Sequence, residues 1–407
     1  RAPAWLGPAL ARDCADHRLA EKGAKIMDLK LNEDQRMMKK VAADFVKSEA
    51  PSYVITDWFQ KKIAFIPELY QKTAEVGWLG MMLPEEYGGS GASCTDCAVV
   101  FEELGRSPLP GPYFSSGVLA AEIILAGGAA AQKKTLLPEI CNGGAIVIPA
   151  LSDDPIQWGP RSAQTRLTKT VSGFVLNGAK RFVYDGAAAT SFICAARAET
   201  EGTVLALVDR NAPGVSVKPV SGFMIGAAEV RFDNVAITAE NFVGDWEVIE
   251  RALLKALPIL CAYKVGACQE IFEMTNEYTR TRVVFGQPIG RFQRVQDHCV
   301  DISIHLDGAR WITYETLWKI DSGMEATANV HQAKAVASEA YYQSCNFAHM
   351  VFAGPGTDYK HPLMAHSVLA HTLYQYLGTP LYHKRAMVDA LYPRKAKSNA
   401  AQENEMR

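Results

Sequence analysis

The chain has 407 residues, 48% hydrophobic and 21% charged, with 42 basic against 44 acidic side chains and a net charge of −2. This is an ordinary globular composition with chain for two or three structural units, and it excludes intrinsic disorder and a basic nucleic-acid footprint. The longest apolar stretch, Val118 to Ala131, carries Glu122 and a glycine pair, which excludes it as a membrane span of ~18 uninterrupted apolar residues.

Residues 1–26 are rich in Ala and Arg and lack a sustained apolar period. Gly7 and Pro8 interrupt Ala4-Trp5-Leu6, a poor secretory core. They read as an N-terminal extension outside the fold. Residues 27–145 read as a helical domain. Asn32 is placed to cap a first helix with acids in its first turn, and Met38, Val41, Phe45 and Val46 follow at helical spacing. A helix from Phe65 to Val76 ends at Gly77. Leu83 to Gly91 is a glycine-punctuated loop, and helices resume over Thr95–Leu104, Leu119–Leu125 and Gln132–Ile140.

Residues 146–243 change character. β-branched runs such as Phe174–Leu176, Phe192–Cys194, Val204–Val208 and Val215–Val217 alternate with turn signals, and Asn177-Gly178 predicts a hairpin turn. This block reads as a β-barrel or sandwich. Residues 244–392 return to the helical period in four long segments, Ala256–Tyr278, Val295–Ser322, Ala326–Phe352 and Met364–Leu391, which predict a four-helix bundle. Residues 393–407 form a polar tail. The fold class is therefore α+β and multidomain: an N-terminal helical domain, a middle β domain and a C-terminal bundle.

Nine cysteines, an odd number scattered from Cys14 to Cys345, do not make a disulfide framework, and they read as the reduced thiols of a cytoplasmic protein. The lone Cys94-Thr95-Asp96-Cys97 lacks the second pair that a zinc site wants. His361, His366 and His371 are spaced by five, whereas a metal pair on one helical face wants three or four. No metal is expected.

Several motifs lie on this helix–β–helix order: Gly77-Trp78-Leu79-Gly80 running to Leu83-Pro84-Glu85-Glu86-Tyr87-Gly88-Gly89-Ser90-Gly91, Glu102-Glu103-Leu104-Gly105, Leu137-Pro138-Glu139-Ile140, and Arg282-Val283-Val284-Phe285-Gly286-Gln287-Pro288-Ile289 with Phe292-Gln293. Together they resemble the acyl-CoA dehydrogenase family over nearly the whole chain, Leu29 to Leu391. The resemblance implies FAD as cofactor, an acyl-CoA thioester as substrate, α,β-desaturation as reaction and an electron-transfer flavoprotein as acceptor. It also implies a homotetramer or a heteromer with a related subunit.

By the same resemblance, Arg282 would contact the FAD pyrophosphate of a neighbouring subunit, Phe285 would pack on the adenine and Gln293 would bond in the same region. Ala353-Gly354-Pro355-Gly356 stands where the family has a glycine-rich element, which gives Gly354 and Gly356 a cofactor role. In Gly178–Gly186, Phe182 stands where the family has a flavin-shielding tryptophan, and Tyr184 where it has a threonine. Ser152 would keep a hydroxyl near flavin and substrate, and Trp158 stands where a small serine is expected. The two positions that carry the family's catalytic glutamate are Leu377 and Ala256, so the base is unassigned. Glu250, Asp153, Asp154, His371, Tyr374 and Tyr376 lie nearby and read as structural. Three functions stay open: an active dehydrogenase with an unconventional base, a catalytically silent subunit of a heteromeric dehydrogenase, and a flavin-dependent oxygenase on the same fold.

Overall fold

A computed structural model describes residues 27–153, 157–171, 173–199, 202–220 and 226–393. The expected N-terminal extension, Asp154 and the tail beyond Pro393 lie outside these residues. From Leu31 onward the described chain belongs to one compact unit.

The N-terminal part is helical: α1 (Glu33–Glu49), α2 (Ser52–Gln60), α3 (Pro67–Glu75), α4 (Cys94–Gly105), a π-helical turn at Ser115–Ala120, α5 (Ala121–Gly127) and α6 (Ala130–Cys141). Asn32 caps α1 as the sequence indicates. Its side chain accepts from the Gln35 backbone N–H at 2.8 Å, and the Gln35 side chain answers at the Asn32 N–H. Helix α4 crosses the first bundle helix backbone to backbone. A Cβ on Gly105 would lie 1.8 Å from Tyr263 O, and one on Gly266 would lie 1.7 Å from Glu102 O. Only glycine permits that approach.

The middle part is one eight-stranded sheet built from β1 (Val147–Ala150), β2 (Arg166–Thr170), β3 (Gly173–Val183), β4 (Ser191–Ala198), β5 (Gly202–Asp209), β6 (Val215–Pro219), β7 (Ala228–Ile237) and β8 (Phe242–Asp245). Strand order is β6-β7-β3-β2-β4-β5-β8, with β1 parallel to β4. Asn177-Gly178 corrects the hairpin expectation. It lies inside β3, where the register against β7 shifts between Leu176 and Gly178. Asn177 Oδ1 accepts from the Asn234 N–H of β7 at 2.8 Å, and Gly178 has φ +148° with Thr165 against it. A partner strand turned the local turn signal into a bulge.

The C-terminal part begins with α7 (Trp246–Thr281), longer than expected and continuous through Pro258, then a small hairpin of β9 (Val283–Val284) and β10 (Gln287–Pro288). Helices α8 (Gln293–Asp321) and α9 (Thr327–Phe352) follow. The expected fourth helix is two: α10 (Pro362–Gln375) and α11 (Pro380–Leu391). Gly378 at φ +103° ends the first, and the Thr379 side chain caps the second with Pro380 in its first turn. That break, Tyr376 to Thr379, faces the sheet.

Of the eight described cysteines, all are free and seven are buried. Burial raises the Cys94 thiol to about 12 and the Cys97 thiol well above its usual value. Among the described residues there is no metal-binding cluster, and no helix is long and apolar enough to cross a membrane.

Candidate functional site

Three segments enclose a cavity of about 210 Å³ at the junction of the sheet and the bundle: the end of β3 (Arg181 to Tyr184), the loop after β1 (Ser152, Gln157, Trp158), and the α10–α11 break (Tyr376 to Thr379). The first segment gets its shape from a second bulge, where the β3–β7 register slips between Lys180 and Val183. Phe182 takes φ +56° there and Asp185 takes φ +59° just beyond, both left-handed and unusual for residues with a Cβ. Phe182 remains 40% exposed on the cavity wall.

The loop after β1 is anchored by Asp153. Its carboxylate pairs with the fully buried Lys180 at 2.6 Å and accepts from the backbone N–H groups of Gln164 and Thr165 and from the Thr165 hydroxyl. Its oxygens are spent on structure, so it is not a free base. Ser152 Oγ donates to Gln157 O at 2.8 Å, which closes the loop on itself. Trp158 stacks edge-on against Trp246, and a Cβ on Gly378 would come 3.2 Å from its ring.

The break is held from behind by basic side chains. Lys334 Nζ donates to Gly378 O at 3.3 Å, and Lys264 Nζ donates to Leu373 O at 3.1 Å; both lysines also reach Ser338 Oγ. His383 Nε2 donates to Leu377 O at 2.9 Å, and its Nδ1 meets His331 Nδ1. Both lysines are fully buried and neither pairs with a carboxylate among the described residues. Burial pulls Lys264 down to about 8, and burial beside Lys264 pulls Lys334 well below the usual amine range. The turn that faces the cavity is thus fixed by its carbonyls, with Leu377 in a left-handed conformation (φ +60°).

Two smaller cavities, about 60 and about 30 Å³, lie beyond Tyr184, and Asp185 lines both. Ser115 Oγ, on the π-helical turn, donates to Asp185 Oδ2. The neighbouring Ser116 Oγ accepts from the Val147 N–H of β1, so one turn of the N-terminal domain holds both Asp185 and the first strand. Burial raises the Asp185 carboxyl to about 7, and the Ser115 bond offsets part of that rise.

The residues expected to hold a cofactor fall in two places. Phe182, Tyr184 and Ser152 line the junction cavity, and Trp158 lines it too. Arg282, Phe285 and Gln293 do not. They form a surface hook around the β9–β10 hairpin, where Phe285 is 92% exposed and both Arg282 and Gln293 are exposed. Gly354 and Gly356 sit in a single 3₁₀ turn after α9. Open space surrounds Gly354, whereas Gly356 is buried against Phe352 and His349.

Leu377 lines the junction cavity, and Ala256 is buried within α7. Glu250 is exposed, and Tyr374 donates to Glu339 Oε1 at 2.9 Å. His371 and Tyr376 do line the cavity. His371 Nδ1 donates to Ser367 O at 2.7 Å, which fixes the ring's neutral tautomer with the proton on Nδ1. The titratable groups facing the cavity among the described residues are Arg181, Tyr184, His371 and Tyr376, with no carboxylate. Sequence reasoning missed the Lys264–Lys334 pair and Asp185. Asp185-Gly186 has the form of a turn dipeptide, and only burial makes its carboxylate notable.

Three regions of the chain match domains of one family: acyl-CoA dehydrogenase N-terminal domain at residues 32–144, middle domain at 158–235, and C-terminal domain at 246–391. Acryloyl-CoA reductase (NADH) of Anaerotignum propionicum is 26% identical over 382 residues, spanning 90% of this chain and 96% of that protein. Among solved structures, butyryl-CoA dehydrogenase from Megasphaera elsdenii is 26% identical with a TM-score of 0.81, covering 90% of this chain and 100% of that one. A chain of the ChsE4-ChsE5 complex from Mycobacterium tuberculosis is 25% identical with a TM-score of 0.82, covering 91% and 100%.

Proposed function

Since the chain belongs to the acyl-CoA dehydrogenase family, whose members are FAD-dependent oxidoreductases, we propose that it binds FAD and acts on an acyl-CoA thioester, exchanging two hydrogens across the Cα–Cβ bond, with an electron-transfer flavoprotein as redox partner. The observation that carries the reading is the pairing of a preformed junction cavity with an exposed hook. The residues suit the group. Phe182 presents an aromatic wall of the kind that covers a flat ring, and Ser152 and Tyr184 bring hydroxyls to the same cavity.

Arg282 offers a planar, permanently charged fork suited to a pyrophosphate, and the bare ring of Phe285 suits a purine. Gln293 and the Gly354–Gly356 turn would complete that end. By the family resemblance the hook's ligand is the FAD of a second copy, which the exposure of the ring leaves room for. Val300, Ile304 and Trp311, exposed on one side of α8, supply the apolar surface for that copy. When bound, FAD would take the hydride from Cβ. The chain's own residues seat the thioester and exclude water, with Trp158 and Leu377 narrowing the cavity.

The α-proton then needs an acceptor. His371, with its Nδ1 tautomer fixed, is the side chain of that cavity suited to the task if the chain acts alone. A second reading follows from the absence of a carboxylate facing the cavity among the described residues. Here the chain is the silent subunit of a heteromer and lends Arg282 and Phe285 to a partner's flavin. The ChsE4-ChsE5 structure, a complex of two differently named chains, supports a heteromeric partner for a chain of this fold. FAD content separates the two. A homo-oligomer carrying one FAD per chain, bleached by an acyl-CoA without oxygen, fits the first reading. Substoichiometric FAD, restored by co-expression with a glutamate-bearing relative, fits the second.

A further inference from the structure

Among the described residues no carboxylate lines the junction cavity, and Asp185 brings one to the two cavities beyond it. Tyr184 lines all three cavities, and the two smaller ones share Asp185, Leu109 and Gly111. Their other walls are mostly apolar: Trp58 and Phe59 on one side, Phe101 and Leu260 on the other. Asp185 is the carboxylate that lines them, 4% exposed, and no basic side chain pairs with it among the described residues. A carboxylate buried in such surroundings is costly unless it has donors. Ser115 supplies one, at Oδ2.

Resting on the acyl-CoA reading above, we propose that Asp185 and its surrounding tyrosines anchor the far end of the acyl group, selecting thioesters whose chain carries a hydrogen-bond donor, a hydroxyl or a protonated amine. The tyrosines are the second half of the argument. Tyr113 and Tyr263 line the same small cavity, and Tyr184 and Tyr376 stand toward the junction with rings 5.2 Å apart. Burial raises all four phenols above their usual range, so they stay neutral, and neutral ring faces suit an ammonium or a hydroxyl. A carboxyl held at about 7 ionises readily when a donor arrives. The position also assigns the role. Asp185 does not line the junction cavity and Tyr184 stands between them, so it recognises the acyl chain and is not the base for the α-proton.

The test is equilibrium binding of hexanoyl-CoA, 6-hydroxyhexanoyl-CoA and 6-aminohexanoyl-CoA to the FAD-loaded protein, followed by calorimetry and by flavin bleaching without oxygen. The wild-type chain is expected to bind a donor-bearing thioester about 10-fold or more tightly than hexanoyl-CoA, because a hydrogen bond to a charged group carries that much. The hydroxyl and amine arms show which donor it takes. Asp185→Asn should bring the three ligands within about threefold of one another, and Ser115→Ala, which keeps the carboxylate, should retain the preference.

A wild-type preference for the plain chain overturns the proposal without any variant having to fold. So does an Asp185→Asn protein that keeps the discrimination but no longer bleaches with hexanoyl-CoA, since that is the behaviour of a base. In both cases the acyl-CoA reading stands. If no thioester binds at all, that reading itself fails and the anchor fails with it.

Discussion

The junction cavity and the Arg282–Gln293 hook represent two degrees of completeness in one chain. At the junction two walls are tied from within: Asp153 pairs with Lys180, Lys334 and His383 bind the Gly378 and Leu377 carbonyls of the α10–α11 break, and Lys264 binds the Leu373 carbonyl at the end of α10. At the hook, Phe285 stands 92% exposed beside an exposed arginine, with Phe292 6.4 Å away at right angles. A cavity fixed this way is shaped before anything binds. A bare aromatic ring and guanidinium gain their partners only from a ligand or another copy. On the proposed reading, the first is a preformed reaction chamber and the second half of a cofactor clamp, and among the described residues no carboxylate lines the chamber.

The strongest way to break the comparison is to supply that carboxylate. Leu377→Glu is expected to speed acyl-CoA-dependent bleaching of the flavin by about 10²-fold or more, the usual worth of a positioned base. Stopped-flow absorbance without oxygen measures it, and an unchanged rate means that the chamber already has its acceptor. Next come the hook variants. Arg282→Ala should cut the FAD retained through gel filtration by about tenfold or more, the cost of a charge-assisted phosphate contact. Phe285→Ala should cost about 1–3 kcal/mol of FAD affinity, as stacking on a base does. If neither variant loses FAD, the hook is not a clamp.

The buried ionisable groups sharpen the same contrast through pH. Asp185 titrates near 7 when folded and near 3.8 when unfolded. Between those values the folded chain binds the extra proton, so stability falls as pH rises from about 4 to 7, by up to about 4 kcal/mol. The groups facing it are Tyr70, Tyr113, Tyr184, Tyr263, Tyr376 and Ser115, none of which changes charge in that window. Asp185→Asn should flatten that stretch of a urea-melt series.

The lysine pair acts at the other end. Lys264 titrates near 8 when folded against 10.5 unfolded, so the unfolded chain holds the extra proton in between and stability rises as pH climbs from 8 to 10.5. Lys264→Met should remove its share of that rise, the part that Lys334 contributes over the same window remaining. The smallest effects concern glycines. Gly378→Ala, at φ +103° with His383 Nε2 2.9 Å from the new Cβ, should cost about 1–3 kcal/mol. Gly354→Ala, in open space, should stay within about 0.5 kcal/mol by thermal melting.

Much of the scaffold was legible because its signals are local. Asn32 and Gln35 form a capping box wherever the helix goes, and Gly77 takes φ +78° just past α3. The misreadings share a cause, which is tertiary context. Asn177-Gly178 has the chemistry of a turn, but Asn234 on β7 claims it for a bulge. The Met364–Leu391 period hid a break that Gly378, Thr379 and Pro380 spell out once they are read together as a stop, a cap and a start. Ser152, Trp158, Phe182, Tyr184 and Leu377 were legible only through motif spacing, and they do converge on one cavity. Asp185, Lys264 and Lys334 were not legible at all. Their interest comes from burial without a counter-charge, and no single-sequence pattern records that.

The most direct measurement is an anaerobic visible-absorbance titration of the purified chain, alone and co-expressed with a glutamate-bearing relative, against a panel of acyl-CoA thioesters. The account predicts a yellow protein whose flavin band bleaches on adding at least one thioester, in one of the two preparations. A colourless protein that takes up no FAD in either preparation would contradict it.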